Sequence, residues 1–197
     1  MPLPLFFVLA FFLGSIPNAY LAGRLLKNID IRRHGSGNVG ATNVFRVLGK
    51  GPGFAVFFLD FLKGAAPVAL FLFLSSPQAH RELLALGVGL AAVLGHMFTP
   101  FLAFKGGKGV ATGAGVICAS FPLLFAVALA VWGISFFACR IVSVSSLLAV
   151  CALLVAGLLT HQSPEVLGVF FVMVLLVFWT HRGNIKKLRS GEEDRWS

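Results

Sequence analysis

The chain contains glycine-rich segments in which basic and amide side chains stand close together, a combination suited to binding phosphate groups. The first segment runs from Gly35 to Asn43 and reads GSGNVGATN, with Arg46 one helical turn further on. Glycines let successive backbone N–H groups converge on an anion, and Thr42 and Asn43 can begin a helix whose N-terminus favours phosphate. The segment follows an apolar helical run and not a strand, so its G-x-G-x-x-G pattern does not indicate a dinucleotide site. A flexible glycine-rich turn is the alternative interpretation.

The second segment, Lys105-Gly-Gly-Lys-Gly109, places two ammonium groups in a loop of minimal side-chain bulk. The residue directly after Lys108 is a glycine and not Ser or Thr, so the segment is not a Walker A motif. Anchoring at the membrane surface explains the two charges but not the glycines beside them, which favours phosphate binding. His96 lies in the apolar run before this loop, where it either contacts a ligand or bonds to another helix.

Two more polar segments follow, RIVSVSS from Arg140 and HRGNIKK from His181. Ser143 stands at the start of an apolar run, where helix capping is the alternative to a role in binding. His181 and Asn184 share a helix face at the end of another run. A histidine at this position serves as a general base, a ligand or an interfacial anchor.

The acidic residues restrict the chemistry further. Before the last six residues the chain has only Asp30, Asp60, Glu82 and Glu165, too far apart in sequence to suggest a two-metal site. Asp60 and Lys63 are spaced i, i+3 within an apolar run, which favours a structural ion pair, with a contact to substrate as the alternative. We expect no carboxylate base near the glycine-rich and polar motifs. The sequence also lacks a G-x-S-x-G nucleophile motif, and no histidine is followed by Asp five residues later.

The elements that position these residues are membrane helices. Hydrophobic residues make up 58% of the 197 residues and charged residues 12%, against about 45–50% and about 25% in soluble domains. The mean hydropathy of +0.92 excludes a soluble globule or a disordered chain. The apolar runs are Leu3–Leu26, Gly51–Leu74, Leu83–Phe104, Val110–Cys139, Ile141–Thr160 and Glu165–Thr180.

The run Val110–Cys139 is too long for one crossing, because about 30 helical residues extend about 45 Å and the hydrocarbon core is about 30 Å thick. Pro122 offers a break. Two crossings there put the basic loop Lys27–Lys50 and the basic tail on the cytoplasmic side. We therefore predict an all-α polytopic membrane protein of about seven transmembrane helices, with the N-terminus outside and the C-terminus cytoplasmic. Residues 1–197 form a single membrane-embedded domain in this prediction, and a partial or tilted span over Val110–Ala119 is the alternative.

Together the segments resemble the bacterial acyl-phosphate:glycerol-3-phosphate 1-acyltransferase family of integral membrane enzymes (PlsY type). The resemblance runs nearly end to end, through GSIP, GSGNVGATN, LDFLKG, GHMFTPFLAFKGGKGVAT, RIVSVSS and HRGNIKKL. It implies acyl transfer from acyl phosphate to the 1-hydroxyl of sn-glycerol 3-phosphate, giving lysophosphatidic acid and phosphate in the first committed step of phospholipid synthesis. It also implies a bacterial cytoplasmic (inner) membrane location, no metal or other cofactor, no nucleic acid partner, and a functional link to the peripheral enzyme that makes acyl phosphate.

The resemblance assigns the site residues as well. The positions that match phosphate- and glycerol-binding residues are Ser36, Arg46, Lys105, Ser143, His181 and Asn184. Those expected to shape or extend the same site are Asn38, Thr42, Asn43, Lys108 and Arg140. Of these, His181, Ser143 and Lys105 are the expected catalytic residues. Two positions depart from the pattern, since Gly183 stands where relatives often carry Glu and Ile141 where Tyr is common.

Two other classes of protein remain as alternatives. A transporter of phosphorylated solutes would line a midplane path with polar groups, whereas the polar segments here gather on one predicted side of the membrane. A non-catalytic scaffold would not need glycine-rich cationic loops.

Overall fold

The computed structural model describes residues 2–76 and 80–196, and all regular secondary structure in those residues is helical. This confirms the predicted all-α fold. The α-helices are α1 (Leu3–Ser15), α2 (Asn18–Lys27), α3 (Ala41–Leu48), α4 (Lys50–Leu74), α5 (Arg81–Met97), α6 (Val110–Ser120), α7 (Pro122–Cys139), α8 (Val142–Leu159), α9 (Pro164–Thr180) and α10 (Arg182–Ser190). Short 3₁₀ turns cover Ile31–Arg33 and Pro100–Leu102.

In the described residues, five helical segments are long and apolar enough to cross a membrane. They are Leu3–Lys27, Lys50–Leu74, Arg81–Leu102, Pro122–Cys139 and Val142–Leu159. The pair α9 and α10, bent by 56°, makes a sixth if the two helices are counted as one span. The break that we expected at Pro122 is present, and it leaves α6 as an apolar helix of 11 residues. At 1.5 Å per residue α6 is about half the thickness of the hydrocarbon core, so the seven-span count and the orientation stay predictions.

The helices form two compact units, residues 1–120 and residues 121–197. In the first unit α4 packs on α6 and α5 packs on α1, and glycines lie at both crossings. A Cβ atom added to Gly64 would lie 2.0 Å from the Thr112 carbonyl oxygen, and one added to Gly14 would lie 2.1 Å from that of Ala92. Membrane helices have little hydrophobic drive to associate, so close backbone packing through small residues stabilises such pairs. The prediction of one domain over residues 1–197 stays a prediction.

In the second unit α7 packs on α8, and α8 packs on α9. Phe170 of α9 is fully buried, with its ring in edge contact with the Phe121 ring and close to Gly157. Helix α7 has only one buried residue, Leu124, and its other side chains, all apolar except Ser135, are partly or fully exposed. Such a surface suits contact with lipid, since lipid tails are as apolar as the side chains.

Candidate functional site

The predicted site residues fall into two groups, one in each compact unit. The first group comprises Ser36, Asn38, Thr42, Asn43, Arg46, Lys105 and Lys108, and the second Arg140, Ser143, His181 and Asn184.

Asn43 holds the first glycine-rich loop together from inside. Its side chain is fully buried, and its Oδ1 atom accepts a hydrogen bond from the Ser36 backbone N–H at 2.9 Å. Its Nδ2 atom donates to the backbone oxygens of His34 at 3.0 Å and Asn38 at 3.1 Å. Gly35 and Gly37 have positive φ angles of 57° and 71°, which allow the chain to wrap around this amide. Asn43 therefore shapes the loop, and the side chain of Ser36 remains exposed.

Helix α3 begins directly after this loop, as Thr42 and Asn43 predicted. Gly40 is its N-cap residue and provides no side-chain acceptor. The Asn43 N–H donates to the Gly40 oxygen at 3.0 Å, so the N–H groups that the helix itself does not satisfy are those before Asn43. Arg46 lies on the exposed surface of α3. The positive end of the helix dipole, at the N-terminus of α3, favours an anion at this loop.

A second arginine near the loop is already neutralised. Arg32 makes a two-point contact with the Asp30 carboxylate, with Nη2 to Oδ2 at 2.7 Å and Nε to Oδ1 at 2.9 Å. This hydrogen bonding holds the pKa of the Asp30 carboxyl well below its usual range and raises the pKa of Arg32. Arg32 also lies over the Tyr20 ring. Its charge is thus engaged within the protein.

The glycines of the Lys105–Gly109 loop are required by packing. The N–H groups of Gly106 and Gly107 donate to the backbone oxygens of Met97 and His96 at 3.0 and 3.1 Å, which folds the loop onto the end of α5. A Cβ atom on Gly106 would lie 2.0 Å from the His96 oxygen, and one on Gly107 would lie 2.2 Å from His96 Nε2. These two amides are therefore committed to the fold. Lys105 is exposed and Lys108 half-buried, so the lysine side chains are the groups the loop offers to an anion.

A buried polar cluster lies beside this loop. Lys63 Nζ is 2.8 Å from Asp60 Oδ1, which confirms the predicted structural pair. Asn18 donates to the same carboxylate oxygen at 3.0 Å, and Lys63 also donates to the Ile16 backbone oxygen at 2.9 Å. His96 Nδ1 lies 3.8 Å from Asp60 Oδ1 and has no hydrogen-bond partner among the described residues. All four side chains line one small cavity that reaches Gly106 and Gly107.

In the second unit Ser143 and Asn184 converge on one carboxylate oxygen. Ser143 Oγ donates to Glu193 Oε1 at 2.7 Å, and Asn184 Nδ2 donates to the same oxygen at 2.6 Å. The expectation of no carboxylate near the motifs is therefore wrong. The reason is a chain reversal after α10, where Gly191 adopts a φ of 73° and returns the acidic tail toward α8. The signal for it was a glycine directly after a basic helix, followed by acids.

His181 is oriented by a backbone contact. It is 2% exposed, and its Nδ1 lies 2.8 Å from the Val177 carbonyl oxygen. A carbonyl oxygen only accepts, so Nδ1 carries the hydrogen, and Nε2 of the neutral ring carries the lone pair. That tautomer suits a general base acting through Nε2.

The residues that the structure describes contain no group of three or more His, Cys, Asp or Glu side chains placed to hold a metal ion. That the reaction needs no cofactor stays a prediction.

Long apolar helices define an integral membrane protein; its first unit carries glycine-rich cationic loops and its second unit an oriented histidine. The sequence profile of the family described as glycerol-3-phosphate acyltransferase matches residues 4–191. A glycerol-3-phosphate acyltransferase of Endomicrobium trichonymphae is 41% identical over 191 residues, which cover 97% of this chain and 94% of that protein. The chain belongs to the glycerol-3-phosphate acyltransferase family.

Solved structures agree. The chain is similar to crystal structures of PlsY (YgiH), an integral membrane glycerol 3-phosphate acyltransferase, at 38% sequence identity. The TM-score is 0.92 against its glycerol 3-phosphate form, with 99% of this chain and 96% of that chain covered. It is 0.89 against its lysophosphatidic acid form, with 99% and 95% covered. The chain is thus an integral membrane acyltransferase of phospholipid synthesis.

Proposed function

We propose that this enzyme transfers a fatty acyl group from acyl phosphate to the 1-hydroxyl of sn-glycerol 3-phosphate, giving lysophosphatidic acid and inorganic phosphate. The observation that carries the proposal is the convergence of Ser143 Oγ and Asn184 Nδ2 on a single anionic oxygen, at 2.7 and 2.6 Å. Two donors aimed at one point are suited to an oxygen of a phosphorylated glycerol. The similar PlsY structures in glycerol 3-phosphate and lysophosphatidic acid forms support the same substrate and product.

In this proposal, the cationic groups of the first unit bind the phosphate groups of the substrates. The substrates bring two phosphate groups to one site, and their repulsion must be offset by cations. Lys105 is an exposed cation on a glycine-rich loop and Arg46 an exposed cation on α3, and Lys108 and the Ser36 hydroxyl extend the same set. Arg140, at the end of α7, adds an exposed guanidinium group in the second unit.

The chemical step needs no covalent enzyme intermediate, because an acyl phosphate is a mixed anhydride whose carbonyl is already activated. The 1-hydroxyl oxygen attacks the carbonyl carbon, the new ester bond forms, and the bond to the phosphate oxygen breaks. The hydroxyl proton goes either to His181 Nε2 or to an oxygen of the departing phosphate. Binding both substrates in an aligned geometry supplies much of the rate, as in other reactions between bound partners.

The proposed setting is the bacterial cytoplasmic membrane, with the basic loops on the cytoplasmic side. Acyl phosphate carries a lipid chain on a charged head, so it enters from the bilayer surface. We expect it to come from a peripheral enzyme that makes acyl phosphate. Glycerol 3-phosphate is water-soluble and enters from the cytoplasm.

Purified protein in detergent tests the proposal directly. Radiolabelled glycerol 3-phosphate is supplied with palmitoyl phosphate, palmitoyl-CoA or palmitoyl-acyl carrier protein as donor. We expect labelled lysophosphatidic acid and an equal amount of free phosphate from palmitoyl phosphate, and none from the thioesters. Product formed from a thioester alone would contradict acyl phosphate as the donor. Release of the acyl chain as free fatty acid would contradict glycerol 3-phosphate as the acceptor.

A further inference from the structure

The end of the chain folds back on the second unit. We call residues 191–196 the tail. Its Glu192 N–H donates to the Lys187 oxygen at 2.8 Å, and its Trp196 N–H donates to the Arg140 oxygen at 2.6 Å. The Trp196 ring lies in edge contact with the Phe136 ring at 6.2 Å. The tail therefore crosses the ends of α7 and α8, and the matched family profile stops at residue 191, before the acidic part of it.

Glu193 is the tail residue that meets the proposed site. Its Oε1 atom accepts hydrogen bonds from Ser143 at 2.7 Å and from Asn184 at 2.6 Å, both short enough to be charge-assisted. Ser143 is 4% exposed, so water does not replace the carboxylate freely. The neighbouring acid Glu192 has a different contact, with the exposed Ser190 hydroxyl at 3.0 Å.

The contact with Ser143 excludes a second acceptor from that hydroxyl. A serine hydroxyl has one hydrogen, and that of Ser143 is given to Glu193. A phosphate or glycerol oxygen can receive it only after the carboxylate has left. A carboxylate and a phosphate that contact the same donors also repel each other.

On the basis of the proposed function, we infer that Glu193 competes with glycerol 3-phosphate for Ser143 and Asn184 and so raises the KM of this enzyme for that substrate. The substrate binds only the fraction of molecules in which the tail has left the site. A tail seated in about nine molecules of ten raises the apparent dissociation constant about tenfold. The turnover step, which begins after the carboxylate has left, is unaffected.

Steady-state kinetics at saturating palmitoyl phosphate test the inference. Glu193→Gln keeps the shape of the side chain but removes its charge, and Glu193→Ala removes both contacts. We expect KM for glycerol 3-phosphate to fall severalfold in Glu193→Gln and about tenfold in Glu193→Ala, with kcat unchanged. The matched control is Glu192→Gln, which removes the same charge one residue away and leaves KM unchanged. A KM for Glu193→Ala equal to or above that of the control, or a fall in kcat, overturns the inference.

Hydrogen exchange provides a readout that does not depend on turnover. In the wild-type protein, saturating glycerol 3-phosphate should speed amide exchange in the C-terminal peptide that contains the tail, because Trp196 loses its bond to Arg140. Unchanged or slower exchange overturns the inference, since the tail would then stay in place or close over the substrate. If the wild type makes no lysophosphatidic acid from palmitoyl phosphate, the proposed donor fails, and the exchange experiment still decides whether this substrate displaces the tail.

Discussion

Lys105 carries an exposed ammonium group that has no ion-pair partner in the part of the chain that the structure describes. The nearest acids in sequence are Glu82 before it and Glu165 after it. Lys105→Ala should remove one charge-assisted hydrogen bond to a substrate phosphate, worth about 1.5–3 kcal/mol, or roughly 10- to 150-fold in kcat/KM. Lys105→Arg should restore only part of the lost kcat/KM, because a planar guanidinium does not replace a compact ammonium.

The control for this prediction is Lys50→Ala, which removes an exposed lysine at the start of α4. A Lys105→Ala protein that inserts normally and keeps the kcat/KM of the control would make Lys105 a membrane anchor. Arg46→Ala should act in the same direction as Lys105→Ala. If both residues hold one phosphate, the double variant should lose less transition-state stabilisation, measured from kcat/KM, than the sum of the losses in the two single variants.

His181 gives a second prediction at the residue scale. His181→Asn retains a donor for the Val177 oxygen but has no basic ring nitrogen, so it separates the chemistry of the ring from its structural contact. We expect kcat to fall within the range of about 10²–10⁴ typical of general base catalysis and to remain measurable, because a phosphate oxygen can accept the proton.

A complete loss of turnover in His181→Asn, with glycerol 3-phosphate still bound, would instead make His181 an obligatory base. Since Glu193 lies at Ser143 and Asn184, the double variant His181→Asn with Glu193→Gln serves as the control. It should have the kcat of His181→Asn alone. A much lower value would mean that the carboxylate accepts the proton.

At the scale of elements, the Lys105–Gly109 loop depends on its close fit to α5. In Gly106→Ala the new methyl group meets the His96 backbone oxygen, so the loop has to move. We expect a higher KM for glycerol 3-phosphate and a lower unfolding temperature in detergent. Gly51→Ala is the control, because a Cβ atom there meets nothing within 4 Å. Equal values for the two variants would show that the position of the loop does not matter for binding.

The hydrophobic pattern of the sequence predicted some helix boundaries and missed one. Hydrophobic runs predicted the long helices, and Pro122 predicted the boundary between α6 and α7. The run Leu3–Leu26 predicted one crossing, and within it the chain breaks between α1 and α2 at Pro17, which has no N–H to donate. The break is stable because Lys63 donates to the Ile16 oxygen and Thr99 to the Ser15 oxygen, at 2.9 and 2.7 Å. These partners are distant in sequence, and periodicity carries no information about them.

In the candidate site too, the sequence predicted local features and missed a contact between residues distant in sequence. Local motifs predicted the loops that carry Ser36 and Lys105, and the amide of Asn43 organises the first of them within a few residues of chain. The contact of Glu193 with Ser143 bridges 50 positions and depends on one turn at Gly191. The resemblance did not predict it, because the motifs that carry the resemblance end at Leu188, before Glu193.

At the scale of the whole molecule, the testable property is topology, because the net charge of +9 is concentrated in the predicted cytoplasmic segments. With Cys118, Cys139 and Cys151 replaced, Ser190→Cys places one exposed thiol at the end of the basic helix α10. An impermeant thiol reagent should fail to label it in intact cells and should label it after the membrane is opened. Gln162→Cys, between α8 and α9, is the control on the predicted outer side and should be labelled in intact cells. Ready labelling of Ser190→Cys in intact cells would contradict the seven-span count, since five crossings between the basic loop and the tail would then be required.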